Sequence, residues 1–196
     1  MTEVIVFDVG GTLCEGSIHN FLKKAYRILD LPPAKRVWNK NEVIFDKRLN
    51  LGLITVQEAF EKFFGMKIPP LKMKKLVAIW TSNWIRSQEM KALVKRLGKS
   101  FRLAILSNSD PSNSPIFEKK GYYKPFEVVV LSHELHTVKP QKKIYQILLK
   151  RLKTTADKCL FIDDQLDCLI PAQKMGMKVI QFKNIRQLEK NLKAIM

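Results

Sequence analysis

The apolar residues of this chain fall into two rhythms. Short, nearly continuous runs rich in Val, Ile, Leu and Phe occur at residues 3–8, 102–106, 126–131, 158–162 and 178–182. Runs of that length and character predict strands of a parallel sheet buried on both faces. Between the later runs lie amphipathic stretches of helical length, residues 141–152 and 165–175. Strands alternating with such helices predict βαβ units and an α/β fold with a doubly wound parallel sheet.

Residues 17–95 break this alternation and contain only helical patterns. Ile18, Phe21, Leu22, Ala25, Tyr26 and Leu29 share one helical face, and Val56, Ala59, Phe60, Phe63 and Phe64 share another. Thr55 followed by Glu58 forms a capping box that opens the second helix, and Gly65 with Pro69-Pro70 closes it. The expected organisation is a core of residues 1–14 and 96–196, interrupted by an α-helical insertion at 15–95.

With 196 residues, the chain can bury one core plus a modest insertion, but not two independent large domains. No apolar run approaches the roughly 20 residues that cross a bilayer, and the first residues lack the pattern of a secretory signal. Cys14, Cys159 and Cys168 show no zinc or redox spacing, so a reduced, cytoplasmic setting is expected. The net charge of +17 raises the question of nucleic acid, but the basic residues are spread along the chain instead of clustering on one segment. The densest group, Lys72, Lys74 and Lys75, alternates with apolar Leu71, Met73, Leu76 and Ile79, which reads as a solvated helix face.

Ligands of parallel α/β sheets bind beyond the carboxyl ends of the strands. Polar groups stand there or at helix starts: Asp8-Val9-Gly10-Gly11-Thr12-Leu13 after the first run, Ser107-Asn108-Ser109 after the second, Lys139-Pro140 before a helix, and Phe161-Ile162-Asp163-Asp164 at the fourth. Singly, each has an ordinary reading as a turn or helix cap. Together, in this order, they resemble the haloacid dehalogenase (HAD) superfamily across essentially the whole chain. The segments VKPQKKIYQILLKRL and FIDDQLDCLIPAQKMGMKVIQF add to the likeness.

The resemblance implies a Rossmann-like core with a helical cap, and Asp8 as nucleophile on a small phosphorylated substrate. A carboxylate can take a phosphoryl group as an aspartyl-phosphate, dividing hydrolysis into two easier displacements. Charge on the transferring group needs compensation, for which Lys139, Ser107, Thr12 and backbone N–H groups are candidates, with Asn108 beside them. Asp163 and Asp164 next to Asp8 would repel one another unless a hard cation intervened; Mg2+ takes oxygen ligands. The implied metal ligands are Asp8, the carbonyl of Gly10, Asp163 and Asp164.

Two positions depart from the family pattern. Where its phosphatases carry a second Asp as general acid and base, this chain has Gly10, which keeps the carbonyl but loses the proton shuttle. Such help is worth about a hundredfold to ten-thousandfold, so substrates with good leaving groups should suffer least. Cys168 stands where Asp or Asn commonly supports the metal, and small buried packing is its expected role. Two rivals stay open: metal-free 2-haloacid dehalogenation through Asp8, against which Asp163 and Asp164 argue, and a catalytically weak binding protein using its basic surface, nucleic acid included. His133, Glu134 and His136 match no complete metal site and read as a loop and helical turn. Trp38, Trp80 and Trp84 read as packing residues of the insertion.

Overall fold

The computed structural model describes residues 1–32 and 47–195, so Trp38 lies outside the described residues. In chain order the elements are β1 (Val4–Phe7), α1 (Ile18–Ile28), α2 (Lys47–Asn50), α3 (Val56–Phe64), α4 (Pro70–Ser82), α5 (Gln88–Leu97), β2 (Arg102–Ser107), α6 (Ser114–Lys119), β3 (Val128–Leu131), α7 (Ser132–Leu135), α8 (Lys142–Leu152), β4 (Cys159–Asp163), α9 (Leu166–Lys174), β5 (Lys178–Gln181) and α10 (Ile185–Ile195). A short 3-10 turn, Ala156–Lys158, leads into β4.

Among the described residues the strands form one five-stranded, all-parallel sheet in the order β3-β2-β1-β4-β5. The chain winds outward from β1 through β2 to β3, then returns to the other side of β1 for β4 and β5. The reversal falls between β1 and β4, where a crevice opens at the carboxyl ends. The doubly wound α/β sheet expected from the apolar rhythm is therefore present.

The two-residue period of a strand decides what each face buries. In β1, Ile5 and Phe7 join a core with Leu93, Val94, Phe126 and Leu188, whereas Val4 and Val6 join one with Ile144, Tyr145, Leu148 and Leu169. Helices α5, α6 and α10 cover the first face and α8 and α9 the second. The ends of α8 and α9 are tied by the Tyr145 hydroxyl, which donates to the Cys168 carbonyl at 2.7 Å.

The helices from α1 to α4 bury a separate apolar cluster. Phe21 meets Phe60 and Trp80 at ring distances of 5.5 and 5.1 Å, with Leu22, Ala25 and Leu76 around them. The Thr55–Glu58 capping box is formed as expected, and α3 ends at Gly65 in the left-handed conformation. Lys72 pairs with Asp30, and the neighbouring Lys74 and Lys75 point to solvent. The change from helical cluster to sheet cluster falls earlier than residue 95. Met90, Leu93 and Val94 of α5 pack on the sheet, because that helix turns its apolar stripe toward β1 and β2.

Two crossings join the helical unit to the sheet, and they pair with each other: Glu15 and Ile85 exchange both backbone hydrogen bonds, at 2.8 and 2.9 Å. On the far side, the turn after α2 rests on α7. Ser132 Oγ donates to the Asn50 carbonyl at 2.6 Å, and His136 Nδ1 meets the Leu51 carbonyl at 2.7 Å. Among the described residues no helix is long and apolar enough to cross a membrane.

This docking has a direct test. Gly52 has φ +67°, and a Cβ there would lie 2.4 Å from the His133 carbonyl oxygen, whereas Gly65 has φ +66° with nothing near its missing Cβ. Gly65→Ala is expected to cost about 1 kcal/mol of left-handed backbone strain, and Gly52→Ala about 2–3 kcal/mol from strain plus collision. Urea unfolding of both variants measures the difference, and equal losses would show that the turn does not press on α7 in solution.

Candidate active site

Four loops converge at the carboxyl end of the sheet. The final β1–β4 ladder bond runs from Asp8 N–H to the Ile162 carbonyl at 2.9 Å, which sets Asp8 beside Asp163 as the two strands end. Beyond Asp8 the chain folds back sharply, with Cys14 N–H on the Val9 carbonyl and Gly11 N–H on the Cys14 carbonyl. Gly11 permits this turn at φ +84°, and it also admits Asp164, since a Cβ at Gly11 would stand 2.6 Å from Asp164 Oδ2.

Lys139 joins the carboxylates. Its Nζ lies 2.7 Å from Asp8 Oδ1 and 2.6 Å from Asp163 Oδ2, and 5.4 Å from the Phe161 ring centre. All three ionisable residues are buried, with Asp8 and Lys139 at 5 % exposure and Asp163 at 1 %. The Lys139 backbone is clamped by Asn108, whose Oδ1 accepts from Lys139 N–H at 2.7 Å while its Nδ2 donates to the Lys139 carbonyl at 3.0 Å. Asn108 therefore spends both ends of its amide on holding the Lys139 backbone. Gln165 N–H donates to Asp163 Oδ1 at 2.8 Å, and Gln181 Nε2 donates to the Asp164 carbonyl at 3.1 Å, steadying the remaining acids.

The other expected residues are close to the same loops. Ser107 ends β2, buried, and Thr12 is buried with an Oγ1 that has no hydrogen-bond partner among the described residues. Cys168 packs in the core under the site, and burial pushes its thiol up to about 12, so it stays protonated. His133 bonds Ser109 through Nδ1 at 2.9 Å and approaches Ser114 through Nε2 at 3.4 Å.

Asp8, Asp163 and Asp164 each offer an oxygen within 4.8 Å of the others, the one such acidic or metal-ligating cluster among the described residues. Three carboxylates against one ammonium leave two negative charges in a buried place. Burial pushes the Asp8 carboxyl up to about 7; Lys139 opposes the rise, and Asp163 and Asp164 add to it. Burial alone would lower the Lys139 ammonium, yet Asp163 and Asp8 outweigh it and hold the group charged. An all-oxygen donor set with surplus negative charge and an uncommitted buried hydroxyl fits a hard divalent cation of the Mg2+ kind.

Sequence reasoning missed several parts. Asp110 Oδ1 accepts from the N–H groups of Ser112 and Asn113, and its Oδ2 accepts from Trp80 Nε1 at 3.3 Å, tying the loop after β2 to α4. Trp84 lies against the loop after β1 and is half-buried. Neither contact leaves a local signal, because each joins segments far apart in the chain.

Comparison with known proteins agrees with this fold. Residues 5–182 match the family of haloacid dehalogenase-like hydrolases. A D-ribitol-5-phosphate phosphatase of Bacteroides thetaiotaomicron is 23% identical, covering 100% of this chain and 99% of its own length. Among solved structures, a HAD family enzyme of the same organism in complex with magnesium and inorganic phosphate superposes with a TM-score of 0.78. It is 19% identical and covers 93% of this chain and 95% of its own. A HAD-like hydrolase of Porphyromonas gingivalis superposes with a TM-score of 0.75 at 19% identity, covering 98% of each. At these identities the superpositions show the fold.

The surplus charge predicts an unusual stability profile without divalent cation. A carboxyl raised in the folded state stabilises fully below its ordinary range, and that contribution is lost as pH rises through about 7. With chelator, Asp8→Asn is expected to be more stable than the parent by about 1–3 kcal/mol at pH 8, the gap closing toward pH 4. Thermal unfolding across pH checks this, and parallel curves would refute it.

Proposed function

The chain belongs to the haloacid dehalogenase-like hydrolase family, and on that premise we propose that it is a Mg2+-dependent phosphatase of a small phosphorylated metabolite, working through an aspartyl-phosphate on Asp8. The observation that carries this reading is the buried contact of Asp8, Lys139 and Asp163 at the sheet's switch point, with Asp164 beside them. The phosphate and magnesium held by a structural relative, and the phosphatase activity of a sequence relative, support it.

In this mechanism one Asp8 oxygen attacks phosphorus in line with the leaving oxygen. The P–O bond to that oxygen breaks, and the electron pair departs with it. Lys139, fixed by Asn108, sits where it can stabilise phosphoryl oxygens while orienting Asp8, and the Ser107 and Thr12 hydroxyls supply further donors. Water then attacks phosphorus, releasing inorganic phosphate and restoring the carboxylate. Asp8, Asp163, Asp164 and the Gly10 carbonyl would hold Mg2+, which supplies positive charge to both the acids and the phosphoryl group.

Gly10 carries no proton to the leaving oxygen, so substrates whose leaving groups depart as anions are favoured. The helical unit from α1 to α4 serves as the cap, joined through the Glu15–Ile85 pair, and its closure would exclude water from the phosphoryl group. The reduced, buried cysteines among the described residues suit a cytoplasmic setting.

Phosphate release from an aryl phosphate is expected with Mg2+ and not with chelator, and Asp8→Asn should lower kcat at least about a thousandfold. Simple alkyl phosphates should turn over about a hundredfold or more below aryl phosphates. Absence of phosphate release from every ester tested, or chelator-resistant halide release from 2-haloacids, would sink the reading.

A further inference from the structure

Trp84 occupies an unusual place. It follows α4 in the crossing that returns to the sheet, next to Ile85, whose pairing with Glu15 fixes its register. A Cβ built on Gly10 would meet Trp84 Cζ3 at 3.4 Å and Cη2 at 3.6 Å; one on Gly16 would meet Cε3 at 2.5 Å. The six-membered ring is thus seated across two glycines of the catalytic loop and its exit. Trp80 supports it edge-to-face at 5.9 Å, and the Trp80 indole N–H is itself anchored on Asp110. Trp84 packs against both the sheet cluster and the helical cluster while staying half-exposed, so it stands where the two meet.

Gly10 is two residues beyond Asp8. A Cβ at residue 10 would touch the indole at van der Waals distance, so the ring lies alongside the position two residues beyond the nucleophile. Replacing a polar arm with an aromatic face changes what that side of the site can recognise. Aromatic rings favour stacked or edge-on aromatic partners over saturated groups of equal size.

We propose that Trp84 is a specificity-determining residue, and that the substrate is a phosphate ester whose leaving group carries a flat aromatic or conjugated ring. The inference rests on the phosphatase reading of Asp8 and adds the chemistry of the group released. The two features agree: a conjugated leaving oxygen departs as a stabilised anion, which a site without a proton donor at residue 10 requires. Glycine at 16 is the structural requirement for the ring to lie there, since a Cβ would meet it at 2.5 Å.

The test uses the Mg2+-loaded protein and ligands that do not turn over. Titration calorimetry would compare phenylphosphonate, cyclohexylphosphonate and inorganic phosphate on the parent, Trp84→Ala, Trp84→Phe and Gly16→Ala. Phenylphosphonate is expected to bind the parent about 3- to 10-fold tighter than cyclohexylphosphonate. Trp84→Ala and Gly16→Ala, which remove or displace the ring, should erase that preference and leave inorganic phosphate within about twofold, whereas Trp84→Phe should keep most of it. Equal affinity of the two phosphonates for the parent, or a uniform loss of all three ligands in Trp84→Ala, overturns the inference alone. Failure of inorganic phosphate to bind the parent at all overturns it together with the phosphatase reading.

Discussion

The ammonium of Lys139, buried between Asp8 and Asp163, is the contact on which the rest of the architecture depends. Burying these charges is costly, and removal of the cation would leave acids facing one another without compensation. The contact draws together segments remote in sequence: the ends of β1 and β4, the turn before α8, and, through Asn108, the loop after β2. The strand order serves this arrangement, since only neighbours in a sheet can end side by side, and β1 and β4 are neighbours although about 150 residues separate them.

Around that centre the protein uses two kinds of cohesion. The sheet is held by apolar clusters on both faces, with Phe7, Ile105, Phe161 and Tyr145 fully enclosed. The helical unit has its own core, and several of its ties to the sheet loops are single polar contacts: Trp80 to Asp110, Ser132 to Asn50 and His136 to Leu51. Each is worth about 1 kcal/mol net, far less than a shared apolar core. Separating the helical unit from these loops would therefore cost less than opening either core.

The departures from the family pattern acquire a shared logic in three dimensions. Gly10 reads in the sequence as a loss, a carboxylate missing where a proton donor would stand. In the structure it also lies alongside the Trp84 ring, which a Cβ there would touch at van der Waals distance. Gly11, which looks like half of an ordinary Gly-Gly turn, holds open the space for Asp164. Cys168 is a buried group of the sheet core, and that burial pushes its thiol up.

Periodicity alone determined the strands, the intervening helices and the parallel sheet, because the alternation of apolar residues is a local consequence of which face each residue turns to the core. That Asp8, Lys139, Asp163 and Asp164 come together was also legible, since each ends a strand or precedes a helix and the four stand in a recognisable order. Tertiary structure decided the rest: that α5 belongs with the sheet, that Asn108 spends both ends of its amide on Lys139, that Asp110 anchors Trp80, and that Trp84 covers Gly10 and Gly16. These depend on which segments meet after the chain has wound both ways from β1. A contact between residues tens of positions apart leaves no periodicity in the sequence, so only the packed structure could reveal it.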